Sequence, residues 1–473
     1  MTRGLLFRQV DVDGELVDVH VVGATIDAVA PSLPGVGDPI VVDGHGRALI
    51  PGLHDHHMHL LATAAARASV RVGPPQVRDQ RSLAAALRRA DRALAPEAWL
   101  RAIGYHESVA GDLDRTALDR LVPHRPVRLQ HRSGARWVLN SAAIDAIQLE
   151  KIHRPELERD PTGGLTGRLH RADAWLRALL PRQGPPDLAP IGRELARYGV
   201  TGVTDATPYR DADELEPLAA AVATGALPQR VVATGGPELA GTQPPAGLEW
   251  GPVKIIIDDG GYPSLDSLGD QIATAHRHDR NAAIHCVTRT ALVLALAAWD
   301  AVGSRPGDRI EHGSVIPPEL RADLARRHLT VVTQPGFIAE RGDEYLRDVE
   351  PDDLPHLYPC RSLLDDGIPV AGSTDAPYSD ANPWRAIAAA TARTTRSGAV
   401  LGAAEAIPPG RALELFTGDP HEPGGPPRRV APGAPADLCL LAVPLHEALA
   451  GSTDARAVCV TRRGGLISAW GGA

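Results

Sequence analysis

One recurrent pattern constrains this chain more than any other: eight short apolar runs, most closing on histidine, aspartate or threonine, with Ala/Leu/Arg-rich helical stretches between the later ones. In order they read LIPGLHDHHMHL, GVTGVTDAT, PQRVVATGG, PVKIIIDDG, NAAIHCV, DRIEHGSV, LTVVTQP and IPVAGSTDAP. Strands covered by helices on both faces are near-continuously apolar, as these are. Eight of them alternating with helices predict an α/β fold, a (β/α)8 TIM-type barrel over about residues 51–424. In such a barrel the loops after the strands carry the active site, so the polar run ends are candidates for chemistry.

The flanks differ. Residues 1–50 alternate apolar and polar residues between Gly and Pro turns, and similar short runs return in ADLCLLAV and ARAVCVTRRGGLISAW after the linker HEPGGPPRRVAPGAP. Because domain termini often lie close together, a small β domain built from both ends, residues 1–50 and 425–473, is expected, of β-sandwich form. The stretch from about 61 to 190 is too long for one βα connection and contains its own run, PVRLQHR; it is expected to be an inserted subdomain contributing to the substrate pocket.

Composition removes several function classes. The net charge of −9 comes from interspersed acids and bases, which argues against a nucleic-acid partner. No window approaches a membrane span and the start has no signal-peptide pattern, so no membrane association and a cytoplasmic location are expected. Cys286, Cys360, Cys439 and Cys459 are widely spaced and read as small buried hydrophobes. Of 49 basic residues only Lys151 and Lys254 are lysine.

Asp55, His57 and His59 recur every second residue at the end of the first run, so they project to one side, where two imidazoles can hold one metal; His54 and His56 form a competing pair of opposite phase. Lys254, His285, His312 and Asp375 end later runs. A closed barrel brings them together. An ammonium between Val253 and Ile255 is costly unless paired, with Asp258 or Asp259 for example, or neutralised. Unlike arginine, a lysine of lowered pKa reacts with CO₂ to give a carbamate, an oxygen ligand able to bridge two cations.

PGLHDHHMHL resembles the PG-hydrophobic-x-D-x-H-x-H signature of the amidohydrolase superfamily, and VKIIIDDG, AIHCV, RIEHGS, GSTDAP and PGAPADLCLL resemble its later elements in order. Within it the chain is most similar to Amidohydrolase 3 proteins, whose insertion carries elements matched by GYHES (Gly104 to Ser108) and WVLNS (Trp137 to Ser141). The resemblance implies that His57, His59 and Asp375 bind one divalent metal ion and that Lys254, as N6-carboxylysine, bridges to a second held by His285 and His312. Zinc is the metal expected, though such ligands accept manganese, cobalt or iron. It implies hydrolysis of an amide-like C–N bond (N-acyl, N-formyl or cyclic amide) of a small molecule, with Asp375 taking a proton from the attacking water and returning it to the leaving nitrogen. Tyr105, His106 and His131 are the candidate substrate contacts. The chain departs from the group's pattern at Ala135, at Thr288, Arg289 and Thr290, and at Arg171, all substrate-side positions. A heterocycle deaminase, which commonly needs one metal and no carboxylated lysine, is the enzyme alternative; a non-catalytic scaffold is a third reading, and a homodimer is left open.

Overall fold

The structure, a computed structural model, describes residues 4–35, 38–180, 184–258, 261–450, 457–462 and 465–469. It divides into two compact units, Met1–Leu60 with Leu188–Ala473, and Leu61–Asp187.

The larger unit is α/β. Each of the eight apolar runs forms a strand: β1 (Leu53–Met58), β2 (Val200–Asp205), β3 (Arg230–Ala233), β4 (Val253–Ile256), β5 (Ala282–Cys286), β6 (Arg309–His312), β7 (Thr330–Thr333) and β8 (Val370–Gly372). They lie in two parallel sheets, β1-β2-β3 extended by a strand at Leu248–Trp250, and β4-β5-β6-β7-β8. Lys254 N–H donates to the Gly235 carbonyl just past β3, and Asp375 N–H to the His57 carbonyl, both at 2.8 Å. The same end of β1 is tied a second time by His59 N–H to the Ala376 carbonyl. Every residue of β1, β2, β6 and β7 is buried, as strands covered on both faces require.

Helices between the strands begin on side-chain caps. Ser264 caps Leu265–Arg277, and Thr288 caps Arg289–Val302 by accepting from Ala291 N–H. Thr288, one of the departures from the family pattern, is therefore a helix cap, and Arg289 pairs with Asp353 and Glu319.

Both chain ends feed one apolar cluster. Strands at 5–12, 15–22, 25–30 and 40–43 make one sheet, and those at 49–51, 438–441, 457–462 and 465–469 another. Leu5, Phe7, Val10, Val19 and Ile26 share a core with Leu49, Leu438 and Leu440.

The second unit is richer than its single legible strand run suggested. It holds a six-stranded mixed sheet in the order 157–159, 165–170, 136–139, 127–131, 100–105, 70–71, and two apolar clusters. Asn140 of the WVLNS element is fully buried. Its carboxamide accepts from Val127 and Ala143 N–H and donates to the Val122 and Arg125 carbonyls, tying strand to helix. Among the described residues no helix is long and apolar enough to cross a membrane. Cys286, Cys360 and Cys439 are buried; the Cys459 side chain lies outside the described residues.

Candidate metal centre

Strand register stacks the site in layers. Across β4, β5 and β6, Lys254, Ala283 and Arg309 are neighbours, and one step further along Ile256, His285 and Glu311 are neighbours. Side chains two apart on a strand share a face, so both layers point the same way. His312 follows Glu311 and would face away. Instead it takes φ +72°, in the left-handed region, and its ring meets His285 at 4.4 Å and His57 at 4.7 Å between centroids. Asp375 likewise adopts φ +56° just past β8. Its Oδ1 lies 3.3 Å from His59 Nε2 and 3.7 Å from His57 Nε2, and its Oδ2 3.9 Å from His312 Nδ1. Such φ values cost energy in non-glycine residues and cluster at functional sites.

His57, His59 and Asp375 offer ligand atoms that all lie within 4.8 Å of one another, a group able to hold a metal ion. Each of three imidazoles has a partner on Nδ1. Glu311 accepts from His57 Nδ1; Thr207 Oγ1 lies 3.0 Å from His59 Nδ1; and Gln334 Oε1 lies 2.9 Å from His312 Nδ1. The Gln334 amide nitrogen donates to Ser373 Oγ, which leaves its oxygen for His312. His57 and His312 are thus Nδ1–H tautomers with a lone pair on Nε2, the form a metal takes. None of these three partners was singled out from the sequence. Glu311 directly precedes His312 and Gln334 ends the β7 run, so their place at strand ends was the available signal.

Burial sets the electrostatics. It drives the imidazoles of His57 and His312 toward the neutral form and lowers His285 to about 3, with Lys254 adding to the effect on all three. Burial would raise Asp375, but the hydrogen bond from His59 and the imidazoles of His312 and His57 hold its carboxyl well below the usual range. Glu311 is held down in the same way by Arg309, whose Nε donates to it at 2.6 Å, and by Lys254. Burial lowers Lys254 itself, which is 2% exposed. Its Nζ has no hydrogen-bond partner among the described residues; Asp259, one of the ion-pair partners considered, lies outside them.

Asp55 is a staple rather than a member of this group. Its carboxylate accepts from His57 N–H, Thr374 N–H and Thr374 Oγ, joining β1 to the segment after β8, and burial pushes its pKa up to about 7. His54 and His56 lie against each other at 4.6 Å, His54 bonded to Thr204, and neither belongs to the metal-ligand group.

The three substrate-side candidates belong to the second unit. Tyr105 is 1% exposed, its ring packs in that unit's core, and its hydroxyl donates to the Gly111 carbonyl at 2.6 Å. The phenol is thus a packing residue of that unit's core. His106 and His131 flank Glu107 closely enough for the three to hold a cation. Their Nδ1 atoms accept from the backbone N–H of Ser108 and Ser133, which places the protons on Nε2. His131 then donates to Glu107 at 3.1 Å, and Arg136 donates to the same carboxylate. Donors, not lone pairs, converge there.

An N-substituted formamide deformylase from Arthrobacter pascens is 26% identical over 464 residues, covering 86% of this chain and 84% of that protein. The protein YtcJ of Bacillus subtilis (strain 168) is 25% identical over 422 residues, 79% of each. The crystal structure of a metal-dependent hydrolase from Pyrococcus horikoshii OT3 superposes with a TM-score of 0.74 at 18% identity, covering 93% of this chain and 97% of that one, a likeness of fold. The model of the Amidohydrolase family matches residues 40–464, nearly the whole chain and every strand of the site. The chain belongs to the Amidohydrolase family and is a hydrolase of carbon–nitrogen bonds other than peptide bonds.

Proposed function

We propose that this enzyme cleaves an amide-like C–N bond (N-acyl, N-formyl or cyclic amide) of a small molecule in the cytoplasm. In this reading β1 to β8 close as a (β/α)8 barrel over residues 51–424, the chain ends (1–50 and 425–473) form a β-sandwich, and two divalent metal ions, zinc for preference, are held at the strand ends. His57, His59 and Asp375 hold one, His285 and His312 the other, and Lys254 as N6-carboxylysine bridges them. The observation that carries it is that His57 Nε2 and Lys254 Nζ are among the buried polar atoms with no hydrogen-bond partner among the described residues. Buried polar groups are otherwise almost always paired, so orphans on this donor set fit cations.

Bound divalent metal acidifies water and polarises a carbonyl. The chain's own residues do the rest. Asp375, anionic and buried, accepts the water proton on Oδ1 and returns it to the leaving nitrogen. Glu311, Thr207 and Gln334 hold the rings so that Nε2 faces inward. Burial lowers the Lys254 pKa and so favours the free amine, which adds to CO₂ with loss of one proton to form the carbamate. Lys254→Ala is expected to lose metal and activity together, with partial rescue by short carboxylic acids, and Lys254→Arg to fail in both assays. An arginine variant with full metal content and turnover would reduce Lys254 to a structural cation.

A second reading, deamination of a heterocycle with one metal, is favoured by one observation: of the histidine and aspartate ligands proposed, His57, His59 and Asp375 fall within mutual ligand distance among the described residues, and His285 and His312 do not join such a group. Metal analysis decides between them. Two ions per chain favour the bridged site, whereas one retained ion with turnover of an aminoheterocycle favours the deaminase.

A further inference from the structure

The histidines proposed as metal ligands rest on partners of unequal charge. Behind His57 stands a carboxylate: Glu311, fully buried, accepts from Nδ1 and is held anionic by Arg309, whose Nε donates to it at 2.6 Å. Behind His312 stands a neutral carboxamide, Gln334, with its Oε1 2.9 Å from Nδ1. That carboxamide is locked in one orientation. Ser373 Oγ donates to the Thr333 carbonyl at 3.1 Å and accepts from Gln334 Nε2 at 2.9 Å, and both side chains are fully buried. Turned over, the amide would set its oxygen against a hydroxyl whose proton is already spent.

The two ligand sets also differ in how far they are assembled. His57, His59 and Asp375 hold their ligand atoms within 4.8 Å of one another, with Asp375 anionic, whereas His285 and His312 join no such group among the described residues. The anionic partner proposed for these two is the carbamate on Lys254, which exists only once CO₂ has added.

We propose that the two metal sites fill in order, His57–His59–Asp375 first and His285–His312 at least about tenfold more weakly, and that Gln334 is the positioning residue that keeps the second step weak. This rests on the two-ion reading of the centre. A carboxylate on Nδ1 raises the basicity of Nε2 and strengthens its bond to a cation, while a carboxamide orients the ring without adding charge.

Repulsion between two cations weakens a second step in any protein, so the variants carry the test. Metal-free full-length protein is titrated calorimetrically with zinc in the presence of bicarbonate. Wild type is expected to show two steps. Gln334→Glu, whose carboxylate can accept from the Ser373 hydroxyl, should tighten the weaker step about tenfold and leave the tighter one unmoved. Glu311→Gln should narrow the gap from the other side, by loosening the tighter step, and His285→Ala should delete the weaker step alone. A merely structural Gln334 would loosen both steps together in the glutamate variant. That result, a gap unmoved in both partner variants, or loss of the tighter step in His285→Ala would overturn the proposal. Two steps of equal affinity in wild type would overturn it with the two-ion reading intact, whereas a single step in every chain at saturating zinc would remove that reading and the proposal together.

Discussion

His57 faces two ways. Nε2 points toward Asp375, 3.7 Å away, while Nδ1 is bound to Glu311, which Arg309 holds anionic. The ring's tautomer is thus decided by a carboxylate from a strand 254 positions later. Glu311→Gln keeps the shape and an acceptor oxygen but removes the charge. Its metal affinity, measured by competition with a chelator, is expected to fall about 10–100-fold, as for other partners of metal-bound histidines. Glu311→Ala also leaves Arg309 buried without its counter-ion, at a cost of about 3–5 kcal/mol, read as a lower denaturation midpoint of the metal-free protein. Unchanged affinity in the glutamine variant would show that the ring is oriented by packing alone. The proposed ligands were legible because they stand in apolar runs whose motifs follow one another in a recognisable order. Glu311, Thr207 and Gln334 were not, because any polar residue at a strand end looks alike until a ring stands beside it.

Elements reveal which polar residues hold strands rather than substrate. Arg230 on β3 and Glu249 on the adjoining short strand form a two-point pair at Nε–Oε1 2.9 Å and Nη2–Oε2 2.5 Å, with His421 2.8 Å from the same carboxylate. Burial works to raise Glu249, but the bonds from Arg230 and His421 lower it to about 2. A depressed carboxylate contributes stability above its unfolded value and loses it as pH falls through the folded one. The stability difference between wild type and Glu249→Gln should therefore be largest near neutral pH and shrink from about pH 5 down toward about pH 2. Denaturant midpoints across that range check this. A constant difference would mean that the carboxylate's charge contributes nothing. Strands β1 to β8 were all legible, because doubly buried strands read as plain apolar runs. The strand at 248–250 was missed; three residues are too short for a period to register. Thr288 and Arg289 were taken as departures on the substrate side and prove to be a cap and an ion-pair partner. A helix-capping threonine looks the same in sequence as a binding one.

For the whole molecule, the proposed centre draws on β1, β4, β5, β6 and the segment after β8, so a metal held there would tie together strands spread from residue 53 to residue 375. A ligand that binds only the folded chain stabilises it by about 2.7 kcal/mol at a hundredfold excess over its dissociation constant. Chelation is expected to lower the melting temperature by several degrees, readdition of metal to restore it, and His285→Ala to blunt the effect. A melting curve indifferent to chelator would remove the metal from the account of this site. The sequence alone determined which segments are buried strands, that His57, His59, Lys254, His285, His312 and Asp375 lie in them or just after them, and the family, since hydrophobic period and motif order are properties of the chain read in line. Only tertiary structure decided the rest. It turned His312 and Asp375 inward at positive φ, assigned the imidazole tautomers through Glu311 and Gln334, and buried Tyr105 in the core of the second unit. Backbone hand, tautomer and burial depend on which distant side chains arrive beside a residue, and those neighbours exist only once the strands have paired.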